Sequence, residues 1–247
     1  MDNTIFMQLP VWQKNHLEVC IEKELFKGKK VLEVGGRTPY EVTKTLEVES
    51  WTGIDPAFKQ DWGPFDNYRL LKRSVLDFGE DDEFDFIFAT NSFEHINGFD
   101  KGVENMYRIL KKGGKLSALL GPIWSCYKGS HTGYKTKDNE IINFNNIKLP
   151  PWAHLIYSQE EIKEILLKSY SPEIAQDISS WIFNTDFLNR LFYDDYRQTI
   201  FSSKFEVLEF RDWHTSKFPP EDLQTFLENK YNKKNFSTVS IKMLLEK

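Results

Sequence analysis

Two acids close strand-like runs in this chain. Asp55 ends Trp51-Thr52-Gly53-Ile54, and Asp77 stands in Ser74-Val75-Leu76-Asp77, just after the strand-like Tyr68–Lys72. A third acid, Glu33, sits in Val31-Leu32-Glu33-Val34, directly ahead of the pair Gly35-Gly36. An ionised carboxylate offers acceptors only, so it suits a ligand that presents hydroxyl or amino hydrogens. Asp55 lies about 20 residues past the glycines, the spacing at which an acid meets ribose hydroxyls in nucleotide-binding folds. A glycine has no Cβ, so Gly35 lets backbone and ligand come close. Asn91 ends a further apolar run, Phe84–Thr90.

These residues need strands and helices to hold them. Residues 10–27 carry a mainly apolar helical stripe, Leu17, Cys20, Ile21, Glu24 and Leu25, with Gly28 as a stop. Strand one is Lys30–Val34. A glycine turn leads to a helix over Pro39–Val48, with Thr38 read as N-cap and Pro39 as first helical residue. Strand two is Trp51–Asp55. The loop Pro56–Asn67 is rich in aromatics, Phe58, Trp62 and Phe65 among them. Strand three is Arg69–Arg73 and strand four Phe84–Thr90. A helix over Asp100–Leu110 ends at Gly113-Gly114, and strand five is Lys115–Leu120. Strands alternating with helices at this rhythm predict a parallel sheet covered on both faces.

The same blocks resemble a known family. Glu33-x-Gly35-Gly36, Gly53-Ile54-Asp55, Leu76-Asp77, Phe84-Asp85-Phe86-Ile87, Phe93-Glu94-His95-Ile96 and Tyr107–Gly114 are similar, in order and spacing, to class I S-adenosylmethionine-dependent methyltransferases. The resemblance covers about residues 29–123. It implies a Rossmann-like α/β fold with a seven-stranded, mostly parallel sheet and helices on both faces. It also implies S-adenosylmethionine as cofactor. Asp55 would then accept from the ribose hydroxyls, Asp77 from the adenine amino group, and Glu33 would face the methionine ammonium, directly or through water. Gly35 and Gly36 would admit the cofactor to the backbone, and Asn91 would stand where cofactor meets acceptor. The chain departs from the family at Gly35-Gly36-Arg37, where the family has Gly-x-Gly, and Pro39 stands where a third glycine is common.

After strand five the chain leaves the minimal family pattern. Residues 122–202 read as a helical and loop insertion between strands five and six that holds the acceptor. It contains Gly129-Ser130-His131-Thr132-Gly133 and Pro151-Trp152-Ala153-His154-Leu155, and Ser158 with Glu161 forms a capping box. Helical pattern runs from about Pro172 to Tyr196. Strand six is Phe205–Trp213, a helix spans Pro219–Tyr231, and Thr238–Leu245 is a last strand which, in the family, sits antiparallel beside strand five. The expected organisation is an N-terminal helix over 1–28, a cofactor-binding core over 29–121, the insertion over 122–202, and 203–247 completing the core.

Composition narrows the partners. The chain has 247 residues and a formal net charge of −5, which opposes a general nucleic-acid surface. Two cysteines, Cys20 and Cys126, make neither a disulfide framework nor a zinc site. No apolar segment is long enough to cross a membrane, and no secretory leader pattern opens the sequence, so a cytoplasmic protein is expected. The oligomeric state is open.

Methyl transfer to an alcohol needs a base, usually a histidine or a carboxylate. His131, in a polar glycine-flanked loop, is the first candidate, with His95 and Glu94 as the alternatives at the end of strand four. His16 reads as a surface residue, His154 as a hydrogen-bonded packing residue, and His214 as the end of strand six. Glu94, His95, His131 and His154 are also conceivable N/O ligands, but no close i, i+4 pair supports a metal, and none is assigned. The insertion resembles bacterial methyltransferases associated with cell-surface polysaccharide synthesis. That implies O-methylation of a sugar or phosphorylated sugar-like small molecule. The alternatives are N-methylation of a small metabolite, or a non-catalytic binding protein that kept the fold, which Arg37 would favour.

Overall fold

The computed structural model describes residues 9–36, 38–215 and 217–247. The chain divides into two compact units. The first comprises Met1–Leu120, Thr199–Arg211 and Lys242–Lys247, and the second Gly121–Gln198 and Asp212–Ile241.

The first unit is built on a sheet. In chain order its elements are helix α1 (Val11–Glu22), β1 (Lys30–Val34), α2 (Tyr40–Thr45), β2 (Ser50–Ile54), β3 (Trp62–Phe65), β4 (Tyr68–Leu71), β5 (Phe84–Thr90), a 3-10 turn at Phe93–His95, α3 (Phe99–Ile109) and β6 (Leu110–Leu120). Strands β9 (Glu206–Thr215) and β10 (Thr238–Glu246) complete the sheet, in the order β3-β4-β2-β1-β5-β6-β10-β9. Strand β10 thus neighbours β6, as expected of the last strand. The pairs β1–β2, β1–β5, β2–β4 and β5–β6 are all parallel. Central parallel strands are covered on both faces, which is why β5 is Phe-Asp-Phe-Ile-Phe-Ala-Thr with all but Asp85 buried.

The sheet has eight strands where seven were expected. The additional strand is β3, which pairs antiparallel with β4 as an exposed edge within the aromatic loop. A second difference lies at Gly113-Gly114, which does not stop a helix. Helix α3 already ends at Ile109, and the glycines lie inside β6. The pairing there jumps from Phe84↔Leu110 to Phe86↔Lys115, and Gly113 at φ +74 supplies the turn this irregularity needs. Thr38 does not cap α2 either: Pro39 is the N-cap, with no side-chain bond, and the Thr38 side chain is used elsewhere.

The second unit carries the hairpin β7 (Gly133–Lys135) and β8 (Ile141–Asn143), then α4 (Ala153–Ile156), α5 (Gln159–Leu166), α6 (Pro172–Asn184), the start of α7 (Tyr193–Ser202) and α8 (Glu221–Tyr231). The helical pattern read over 172–196 is thus two helices. The capping box at Ser158 and Glu161 is present in both directions. Two apolar clusters hold the unit: Ile162, Leu166, Ala175, Ile178 and Ile182 between α5 and α6, and Trp152, Leu155, Leu227 and Phe236 around α4 and α8. No helix among the described residues is long and apolar enough to cross a membrane.

Helix α1 is pinned to the sheet by Leu17 and Cys20, both fully buried in a cluster with Phe26, Trp51, Phe86 and Phe88. Burying a leucine of this kind contributes about 2 kcal/mol. Beside them lies His16, which is buried rather than on the surface. Its Nδ1 is 2.7 Å from Thr90 Oγ1 and its Nε2 is 2.8 Å from Ser117 Oγ, and the ring stacks on Phe88. Burial, with a lesser push from Lys242, lowers its pKa to about 3. The unfolded chain therefore takes up this proton first, and stability is lost as pH falls from about 6.5 toward 3. His16 alone should cost about 2 kcal/mol between pH 7 and 5. Urea unfolding at both pH values should show His16→Asn less stable at pH 7 yet with a smaller drop on acidification. An unchanged acid slope would contradict the burial of a neutral ring.

Candidate functional site

Four parallel strands end at one edge of the sheet, so the segments that follow them gather there. These are the glycine turn after β1, Asp55 after β2, the loop through Asp77 after β4, and Asn91–His95 after β5. In open α/β sheets this edge is where ligands bind.

The glycine turn is held by Glu33. This carboxylate is 1% exposed and accepts three hydrogen bonds: from Thr38 N–H at 2.9 Å, from the Thr38 hydroxyl at 2.7 Å and from Trp51 Nε1–H at 3.1 Å. Burial pushes its pKa up, and the Thr38 and Trp51 bonds oppose the shift. The Thr38 hydroxyl in turn accepts from Gln13 on α1, and the Thr38 carbonyl accepts from the Tyr68 hydroxyl at 2.7 Å. Glu33 is thus an internal tether of the turn. Its oxygens are held by Thr38 and Trp51 here, where the resemblance expects Glu33 to face the methionine ammonium directly or through water.

The two glycines also have internal reasons. Gly35 sits at φ +72 and donates its N–H to Ile54 O at 2.8 Å. A Cβ there would lie 2.2 Å from Ser92 Cβ, and one at Gly36 would lie 2.2 Å from Glu33 Oε1. The pair is demanded by Ser92 behind the turn and Glu33 beneath it, before any ligand is considered. Arg37 lies outside the described residues, as does the side chain of His214.

Asp55 is half-buried just past β2. Its Oδ1 accepts the Ala57 N–H at 2.7 Å and its own N–H donates to Leu71 O. One carboxylate oxygen is fixed by the turn and Oδ2 keeps its acceptor capacity. Asp77 is exposed, on a turn that Asn105 of α3 holds from behind by donating to Val75 O and Phe78 O, both at 2.8 Å. Asn91, at φ +49, donates its N–H to Leu119 O and turns the chain off β5. Next to it the Ser92 hydroxyl is buried and has no hydrogen-bond partner among the described residues. Glu94 is buried in the 3-10 turn, and His95 beside it is half-buried.

His131 belongs to the second unit, in the loop ahead of β7. Its φ is +47 and its Nδ1 lies 3.2 Å from Pro122 O. A carbonyl can only accept, so Nδ1 carries the hydrogen and the lone pair of the neutral ring is on Nε2. The segment Trp124–Leu149 around it contains the β7–β8 hairpin. His154 is buried, with Nε2 2.7 Å from Trp124 O, and burial lowers its pKa to about 4.

The residues present fit S-adenosylmethionine. An acceptor-rich carboxylate follows β2, a second follows β4, and an orphaned buried hydroxyl lies against the glycine turn. Ser92, Thr38, Trp51 and Tyr68 escaped the sequence reading. There Thr38 reads only as an N-cap, and Trp51 and Tyr68 only as strand residues.

Residues 41–118 match the family model of a methyltransferase domain. Comparison with curated proteins gives no match. Among solved structures, the chain is similar to an S-adenosylmethionine-dependent methyltransferase from Mesorhizobium loti, at 8% identity and TM-score 0.55 over 94% of this chain and 98% of that one. It is likewise similar to a proposed S-adenosylmethionine-dependent methyltransferase from Listeria monocytogenes, at 12% identity and TM-score 0.53 over 94% and 98%. At these identities the likeness establishes the fold, which is Rossmann-like and of the class I methyltransferase type. The domain match, confined to residues 41–118, together with this fold supports an enzyme that uses S-adenosylmethionine as its cofactor.

The turn geometry can be tested. Gly35→Ala adds a Cβ against Ser92 at positive φ and should cost about 2–4 kcal/mol of stability. In a Ser92→Gly background the clash is gone and the backbone term remains, so the cost should fall by at least about 1 kcal/mol. Denaturant midpoints of the four proteins decide it. Equal cost in both backgrounds would refute the packing explanation.

Proposed function

We propose that this methyltransferase acts on an oxygen of a small hydroxylated acceptor, a sugar or a phosphorylated sugar-like molecule. The reading follows the resemblance to methyltransferases of surface polysaccharide synthesis and places the enzyme in the cytoplasm. The observation that carries it is the ring of His131, whose Nδ1 is committed to Pro122 O so that Nε2 is the basic nitrogen. An alcohol must lose its proton as the new carbon–oxygen bond forms, and a neutral imidazole suits that task near neutral pH.

The bound cofactor supplies a methyl group on a sulfonium, already activated for in-line transfer. The protein's share is position and proton handling. Asp55 Oδ2 would take the ribose hydroxyls and Asp77 the adenine amino group. Gly35, Gly36, Asn91 and Ser92 would line the methionine end, with Glu33 holding the turn rather than touching the ligand. His131 would take the acceptor proton on Nε2. His95 or Glu94 would serve if the base lies after β5 instead.

The test uses His131→Asn, because asparagine tolerates the left-handed backbone at this position better than alanine. A panel of sugars and sugar phosphates is screened by mass for gain of one methyl. With the acceptor found, His131→Asn should lower turnover roughly 10²-fold or more with cofactor affinity little changed, and its pH–rate profile should lose the acid limb. Loss in His95→Ala or Glu94→Ala with His131→Asn near wild type would move the base to the end of β5. Methyl gain only on amines would replace the proposal with N-methylation.

A further inference from the structure

The second unit contains a pocket of about 150 Å³, and His154 is one of its walls. That volume is the size of a cavity that admits one six-membered ring. Its lining combines the aromatic rings of Tyr127 and Phe144 with the polar groups of Lys128, Ser130, Asn145 and His154.

The chemistry of the wall is unusually well determined. His154 is 3% exposed, and its one hydrogen bond runs from Nε2 to the Trp124 carbonyl at 2.7 Å. The carbonyl cannot donate, so Nε2 bears the hydrogen and Nδ1 bears a lone pair that no described residue uses. A ligand hydrogen could be donated to that lone pair. Ser130 is 6% exposed, and its oxygen already accepts from the Thr132 hydroxyl at 3.3 Å, so its own hydrogen is available to a ligand. Lys128 donates to Asn145 Oδ1 at 2.7 Å and lies 5.3 Å over the Tyr127 ring. Lys128 is the one cation of the lining, and one of its donors is taken by Asn145.

A hydroxyl can both donate to His154 and accept from Ser130, and a ring carrying it would find aromatic faces beside it. We propose that this pocket binds one neutral hydroxylated ring of pyranose size, with a ring hydroxyl donating to His154 Nδ1 and accepting from Ser130. The choice of ligand class rests on the sugar-like acceptor proposed above. The place of binding rests on the pocket alone.

The experiment uses the full chain with 15N-labelled histidine rings. Methyl α-glucopyranoside, methyl α-galactopyranoside and methyl α-mannopyranoside are titrated in turn, with inorganic phosphate as the anionic probe. Expected is a saturable upfield move of the His154 Nδ1 resonance with at least one glycoside and none with phosphate. Ser130→Ala should weaken that glycoside roughly fivefold, the effect of one neutral hydrogen bond. His154→Phe identifies the resonance. If that variant does not fold, pH insensitivity down to about 4 leaves only His16 and His154, and His16→Asn identifies the former. No saturable shift with any glycoside, or a shift with phosphate alone, overturns the proposal. S-adenosylhomocysteine titrated into the same samples separates the two readings. Its binding without a glycoside shift overturns the pocket only. A glycoside shift without its binding supports the pocket and overturns the methyltransferase reading.

Discussion

A buried carboxylate governs the cofactor side of this protein. Glu33 lies on the central strand β1 with almost no exposure, and a charge or carboxyl group in that position is tolerable only if its oxygens are hydrogen-bonded. Thr38 and Trp51 supply those bonds. The consequence is geometric. To bring both the N–H and the hydroxyl of Thr38 onto Glu33, the chain must double back within five residues, and the doubled turn leaves no room for a side chain at Gly36. Gly35 is excluded from having one by Ser92 on the neighbouring strand end. The shape of the ligand edge is therefore set from inside the fold. Removing one partner of a buried bonded carboxylate costs more than any surface ion pair of this protein can return.

That hierarchy explains what was legible in the sequence. The parallel strands were readable because a strand buried on both faces is almost uninterrupted in apolar residues, as in Phe84–Thr90. Asp55 and Asp77 were readable because a polar residue at the end of such a run stands out. The roles of Glu33 and His16 were not readable. Both look like ordinary polar residues in pattern, and only tertiary contacts from Thr38 and Trp51, or Thr90 and Ser117, make them internal. Gly113-Gly114 misled for a related reason. Glycines after a helical stripe signal a stop, and the same freedom of φ serves an irregular strand pairing equally well. The edge strand β3 was missed because its four residues are exposed and include a proline, so no burial pattern marks it.

The second unit illustrates how two histidines of similar sequence context diverge. His131 and His154 each have one ring nitrogen near a backbone carbonyl, Pro122 O and Trp124 O respectively. The committed nitrogen differs, Nδ1 in the first and Nε2 in the second, so the basic lone pair falls on opposite sides of the ring. Burial holds His154 neutral, which suits it to accept a hydrogen bond and not to cycle a proton near neutrality.

All of this presupposes that the edge organised by Glu33 holds S-adenosylmethionine through Asp55. Calorimetric titration of S-adenosylhomocysteine into the wild-type chain and into Asp55→Ala tests that most directly. The account predicts saturable one-to-one binding by the wild type and a loss of about 2–4 kcal/mol in the variant, with circular dichroism unchanged. Absence of binding to the wild type, or an affinity for Asp55→Ala within twofold of it, would contradict the account.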